Sequence, residues 1–428
     1  MRSRLLVSAL LAALLAAPAA ARAAAPTGFP SPVTVAGDRE IATVAAAAGG
    51  SAIAYLDTSG DVWATRVRAD GTLGSPLPAA QDQFDVRDLQ VVVTDRGELV
   101  VLWAAIADRR HAVIRYAVAP RGRSFAGVRT LAEVGTNTGA TPRAAALRGG
   151  TIAVIYRDPR PTTAHGVLRF ARRPPGGSFG PARSLGHDGV APEIEPTTGG
   201  GALVAWGSGP VGRRSLMLAS VRRGAAAPGA ATSVAGRIRA FTLVSSPDGT
   251  AWVTWTRQEG GTLGFARRIR AQNVSAVGPG EFLGTVAYGV PHIALGGGDA
   301  VLVAWNAQGP GLLPGPDVAL ASRISTEGFL GPARQFDAGG FSQTSPVAAY
   351  AGGTPMILYT RQLPTGAGPQ PDGSGVRNEV AAADPTSGES VVLGAPRTIA
   401  APAVGRADAR LLVAWPATTG GVAVAVHP

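Results

Sequence analysis

Eight apolar runs along the chain each climb to a Trp or Tyr and stop at a turn. The anchors are Tyr55, Trp103, Tyr156, Trp206, Trp255, Trp305, Tyr359 and Trp415. Successive anchors are 48, 53, 50, 49, 50, 54 and 56 residues apart. A period near 50 built from short strand-like segments, with no helical periodicity, marks a radial array of small sheets, a β-propeller.

Each unit carries four segments in the same order, a to d. Around Trp206 they are PEIEPTTGG, GALVAWGS, SLMLASVRR and AATSVAG. Val, Leu, Ile and aromatic residues in runs of 5–7, split by Gly, Pro and Asp, favour strands. Segment b is apolar on both faces (ALVAW, VLVAW, LLVAW), as for a strand covered on both sides. The anchors therefore read as packing residues between blades. The turn from c to d repeats as ADGTLGSP, GRSFAGVR, GGSFGPAR and TEGFLGPAR, with its Phe or Leu expected to tuck beneath the turn.

The last repeat has a, b and c (APAVGRAD, LLVAWPA, GVAVAVHP) but no d before Pro428. Near the start, SPVTVAGD (residues 31–38) is a d-type segment with no a, b or c before it. Together they complete one sheet and leave no open seam. The expectation is an all-β fold: a single eight-bladed propeller of four antiparallel strands per blade over 26–428. Seven blades plus a degenerate unit is the alternative.

Residues 1–25 read as a secretory signal peptide. Arg2 and Arg4 precede an apolar run from Leu5 to Ala17, and small residues follow. No later segment is long and apolar enough to span a membrane. The chain has no cysteine, which excludes disulfides, thiolate metal sites and a Cys nucleophile. All 39 basic residues are Arg, against 28 acidic ones, a formal charge of +11. Loss of the leader's Arg2, Arg4 and Arg22 brings this to +8. The basic surface favours acidic partners such as an anionic glycan or cell-surface polymer, or a protein. The arginines form no tract, so nucleic acid is not expected. A monomer is expected.

In a four-stranded blade the b–c and d–a connections share one end of the ring. The a–b turns are short and Gly-rich, whereas b–c loops such as RDPRPTTAH and RQLPTGAGPQPDGSGVRN are long and varied. Variable loops on a rigid frame place binding on the b–c end. Segment a begins there, with the register residues Ala42, Gln90, Arg143, Glu193, Thr242, His292, Val347 and Ala403. Arg143, Glu193 and His292 are the channel-mouth candidates. Arg157, Arg257 and Arg361 follow strand b and could hold a carboxylate or sulfate; capping of aromatic rings is the alternative use. Glu259 lies in the same loops. Asp82, Asp85 and Asp88 could gather Ca²⁺, though a solvated acidic loop is the simpler reading. Neither a cofactor nor a metal is called for.

The Trp-ending b strands and FGPAR-like turns resemble, distantly, the sialidase-like or BNR-repeat superfamily over nearly the whole mature chain. That family's mark is the Asp box S-x-D-x-G-x-T-W. The nearest segment here, Ser246 to Trp252, has its Gly one place early. Sialidases resemble six-bladed rings, and their Tyr/Glu nucleophile pair has no counterpart on the b–c end. What emerges is a secreted, non-catalytic propeller binding a surface polymer, glycan or protein through its b–c loops. The alternative is a glycan-active hydrolase or lyase using Glu193 and Glu259.

Overall fold

Strand b of blade 2, Leu99–Ile106, is buried along all but its last residue. Strand b of blade 8, Arg410–Pro416, is buried over five consecutive residues. Such strands have no solvent face, so each sheet must lie between two others. The computed structural model realises this arrangement. It describes residues 29–427 apart from 49–50, 69, 84, 109–110, 136–138, 160–165, 188, 247–248, 260–261, 272–273, 288, 298–299, 309–316, 326–328, 337–345, 365–375, 398–400 and 408–409. The leader and most of the long b–c segments thus lie outside the described residues.

The described chain forms eight four-stranded antiparallel sheets and no helix. Blades 1 to 7 span 41–80, 86–134, 143–187, 189–235, 238–285, 292–336 and 347–394, each in the order a-b-c-d. Each inner strand a contacts the a strands of both neighbouring blades, and blade 8 contacts blade 1, so the ring is closed.

Closure occurs as expected. Blade 8 takes its a, b and c strands from 403–427 and its outer strand from Val33–Val35, paired as Val33↔Val424, Thr34↔Ala423 and Val35↔Val422. Gly421 makes the crossing possible. Its φ is +74°, and a Cβ there would sit 2.4 Å from the Val35 carbonyl oxygen. Its amide donates to the Arg39 carbonyl at 2.6 Å.

The core is divided into eight apolar clusters, each at the seam between two blades. Every cluster holds one anchor, and each anchor faces the preceding blade: Trp103 packs on blade 1, Trp255 on blade 4, and Tyr55 on blade 8 across the closure. All eight anchors are buried. The c–d turn residues belong to the same seams. Phe125 joins the blade 1–2 cluster, and Phe179 meets Tyr116 edge-on with centroids 4.9 Å apart. In TEGFLGPAR it is Leu330 that enters the seam, while Phe329 is 64% exposed.

This arrangement sets the cost of losing an anchor. Trp305→Ala removes an almost fully buried indole and leaves a cavity between blades 5 and 6. It should lower unfolding stability in urea by about 3–5 kcal/mol, whereas Phe329→Ala should change it by less than about 0.5 kcal/mol.

Candidate functional site

Strand a enters the ring at the b–c end, and its register is common to the blades. Gln90, Arg143, Glu193, Thr242, His292, Val347 and Ala403 each pair with the residue just before their anchor's position. Ala42 does not share this register. A register shift between Ile41 and Thr43 makes Ala45, opposite Ala54, the equivalent in blade 1. Strand residues alternate between faces, so this layer faces the following blade while the anchors face the preceding one.

That alternation sorts the candidates seam by seam. Arg143 pairs with Ile155, and Arg157 lies two residues further on, on the same face toward blade 4. Arg157 passes two glycines that leave it room: a Cβ on Gly139 would meet its Nη1 at 2.6 Å, and one on Gly166 its Nε at 3.1 Å. Arg214, from the b–c loop of blade 4, brings its charge close to Arg157. Its stem crosses Gly207, where a Cβ would lie 2.7 Å from its Cδ. Burial, with the Arg214 charge adding to it, lowers the Arg157 pKa. The Arg214 Nε is buried without a hydrogen-bond partner among the described residues. Arg143 lies 3.5 Å from Asp88.

Glu193 and Arg257 meet the next seam, between blades 4 and 5. Glu193 accepts the Leu243 amide at 2.9 Å. Desolvation pushes its pKa up to about 7, against the lowering effect of that bond and of Arg143. Arg257 lies over the Phe265 ring at 4.9 Å, and Phe265 stacks on Trp255 at 5.5 Å. Its position is the ring-capping one. His292 and Arg361 belong to the seam between blades 6 and 7. Burial holds the His292 pKa down to about 4, so the imidazole is neutral near pH 7. Arg361 grips Glu379 through Nε and Nη2 at 2.9 and 2.8 Å, and Arg377 approaches the other carboxylate oxygen at 3.1 Å. Glu259 stands exposed in the turn after strand b of blade 5.

The acidic loop between blades 1 and 2 is engaged in pairs. Arg87 forks onto Asp85 at 2.9 Å, Asp88 faces Arg143, and the Asp82 amide donates to Asp61. No group of three metal-ligating side chains occurs among the described residues.

Two features of this end are not apparent from residue spacing. One is Arg214, half of the doubled arginine ending the blade 4 b–c loop. The other is an open cleft of about 440 Å³ at the closure, lined by Asp38, Arg39, Glu40, Arg397 and Thr418 among others. Its chemistry is mixed: Arg397 pairs with Glu40, and Arg39 with the buried Asp57 at 2.8 Å.

No protein-family model and no curated protein matches the chain. Among solved structures it is similar to the WD40 domain of SCAP from fission yeast, with a TM-score of 0.56 and 9% identity over 94% of this chain and 98% of that one. It is similar to puromycin hydrolase with a TM-score of 0.50 and 16% identity over 91% of this chain. The match spans only 60% of the hydrolase. An ulvan lyase aligns with a TM-score of 0.47 and 12% identity over 92% of this chain and 95% of that one. At these identities the likeness shows the propeller fold alone.

Glu193 also makes a stability prediction. A carboxyl with a raised folded pKa incurs no burial penalty below its unfolded pKa, near 4.5, and loses stability as pH rises to about 7. Glu193→Gln should flatten that dependence. At pH 8 it should raise unfolding stability by roughly 2–3 kcal/mol, measured by urea titration at several pH values.

Proposed function

We propose that the protein is a secreted propeller that binds an acidic group of a surface glycan, polymer or protein at its b–c end. The observation that carries this reading is the approach of the Arg157 and Arg214 charges between blades 3 and 4, with Arg143 on the same face of blade 3 as Arg157. Like charges held together in a half-buried setting are relieved by a bound carboxylate or sulfate, which paired guanidinium donors fit well. Arg257, Arg361, His292 and Glu259 extend the same end of the ring. Glu193 beside Arg143 adds a group whose charge changes near neutral pH.

The test is a glycan array of short oligosaccharides probed with the mature protein. Hits should carry carboxylate or sulfate. The double variant Arg157→Ala with Arg214→Ala should bind them at least tenfold more weakly while melting within a few degrees of the wild type. Neutral hits, or acidic hits indifferent to both substitutions, would defeat the reading.

One observation favours a second reading, a glycan-active hydrolase or lyase. Glu193, with a pKa raised to about 7, has the poise of a general acid or base. On that reading Glu193→Gln abolishes turnover of an acidic polysaccharide; on the binding reading no turnover exists to be lost.

A further inference from the structure

The net positive charge of the propeller is concentrated at the end opposite the b–c loops. Blade topology assigns every connection to one end of the ring. The a–b and c–d turns, with the three strand residues on either side, contain eighteen of the arginines beyond residue 25 and ten carboxylates. The remaining positions contain eighteen of each. The excess of +8 therefore falls on the a–b/c–d end, and the b–c end is balanced overall.

The arginines of this end are placed by the repeat. Arg66, Arg172, Arg268 and Arg323 occupy one register position on strand c, each opposite the residue three before its blade's anchor. Three of them reach over the next blade. Arg66 donates to the Ala119 carbonyl at 3.1 Å, Arg172 to the Ala225 carbonyl at 2.5 Å, and Arg323 to the Thr386 hydroxyl at 3.0 Å. Across the closure, Arg410 donates to the Arg68 carbonyl at 2.5 Å. These carbonyl and hydroxyl partners position the guanidiniums and carry no charge of their own. Further out, Arg121, Arg148, Arg222 and Arg223 are exposed.

Several carboxylates of this end are occupied with their own turns. Asp70 accepts from the Thr72 amide and hydroxyl, Asp95 from the Gly149 amide, and Asp384 from Thr386 and Ser387. Glu98 is paired with Arg173 at 2.9 Å.

We propose that the a–b/c–d end is a docking surface for an extended acidic polysaccharide, separate from the Arg157–Arg214 pair on the b–c end. Guanidiniums pre-positioned on blades 1, 3, 6 and 8 match a polymer bearing repeated carboxylates or sulfates. A single-stranded nucleic acid would instead call for a row of exposed aromatic faces. Of the Phe residues in these c–d turns, Phe125 and Phe179 are packed into the seams and Phe329 is exposed, so they form no such row.

The experiment compares two charge-reversed proteins with the same change in net charge. One carries Arg121→Glu, Arg148→Glu and Arg223→Glu; the other carries Arg87→Glu, Arg213→Glu and Arg237→Glu on the b–c end. Binding to immobilised polygalacturonate and dextran sulfate is measured from low to physiological salt, with duplex and single-stranded DNA as competitors. The wild type should bind both polymers at low salt and weaken steeply as salt rises. The first variant should bind at least tenfold more weakly, the second no more than threefold, with both melting near the wild type. Equal losses in the two variants, no wild-type retention at low salt, or preference for DNA would each overturn the proposal. Short acidic oligosaccharides that depend on Arg157 and Arg214 should still bind the first variant, which separates this surface from recognition at the b–c end.

Discussion

Burial of one large aromatic residue per blade against the blade before it is the interaction on which the structure depends. A single four-stranded sheet here has an apolar strand b with no face to give to water. Stacking the next sheet covers one face and leaves the other open. Only a closed ring covers both faces of every sheet, and Val33–Val35 completes the outer edge of the last one. The anchors, the c–d turn residues that join their seams and the Gly421 crossing all serve this closure.

A ring closed in this way leaves chemistry to the seams and to its two ends. At the b–c end, neighbouring blades bring residues from different parts of the chain together, such as Arg143 with Glu193, and Arg157 with Arg214. At the other end, the repeat sets arginines at one register of strand c and holds several by backbone carbonyls or a hydroxyl. Locally arranged polar groups lie on one side and a broad positive field on the other. That division comes from blade topology and does not depend on which ligand is bound.

Much of the architecture is legible in the chain. The Trp and Tyr spacing marks the blades, and the unmatched segment at 31–38 marks the closing strand. Both are periodic or complementary features that survive sequence divergence. What is lost is local. The register shift at Ile41 moves Ala45 into the place expected for Ala42, because a bulge carries no strong residue signature. Leu330 enters a seam where Phe329 could equally have been chosen, since adjacent apolar residues do not declare their face. Arg214 carries no signal of its own in the chain, because its significance depends on the Arg157 charge of the neighbouring blade. The uneven charge was hidden by the even scatter of arginine along the chain and appears only when turns are sorted by ring end.

Ring closure is tested most directly by cross-linking the first strand to the last. The native chain has no cysteine, so Thr34→Cys with Ala423→Cys introduces a single pair at opposed positions. Spontaneous formation of an intramolecular disulfide, with a melting temperature that falls when it is reduced, is the predicted result. Two thiols that stay free under mild oxidation in a folded monomer would show that the first strand is not seated against the last blade, and would contradict the closed eight-bladed ring.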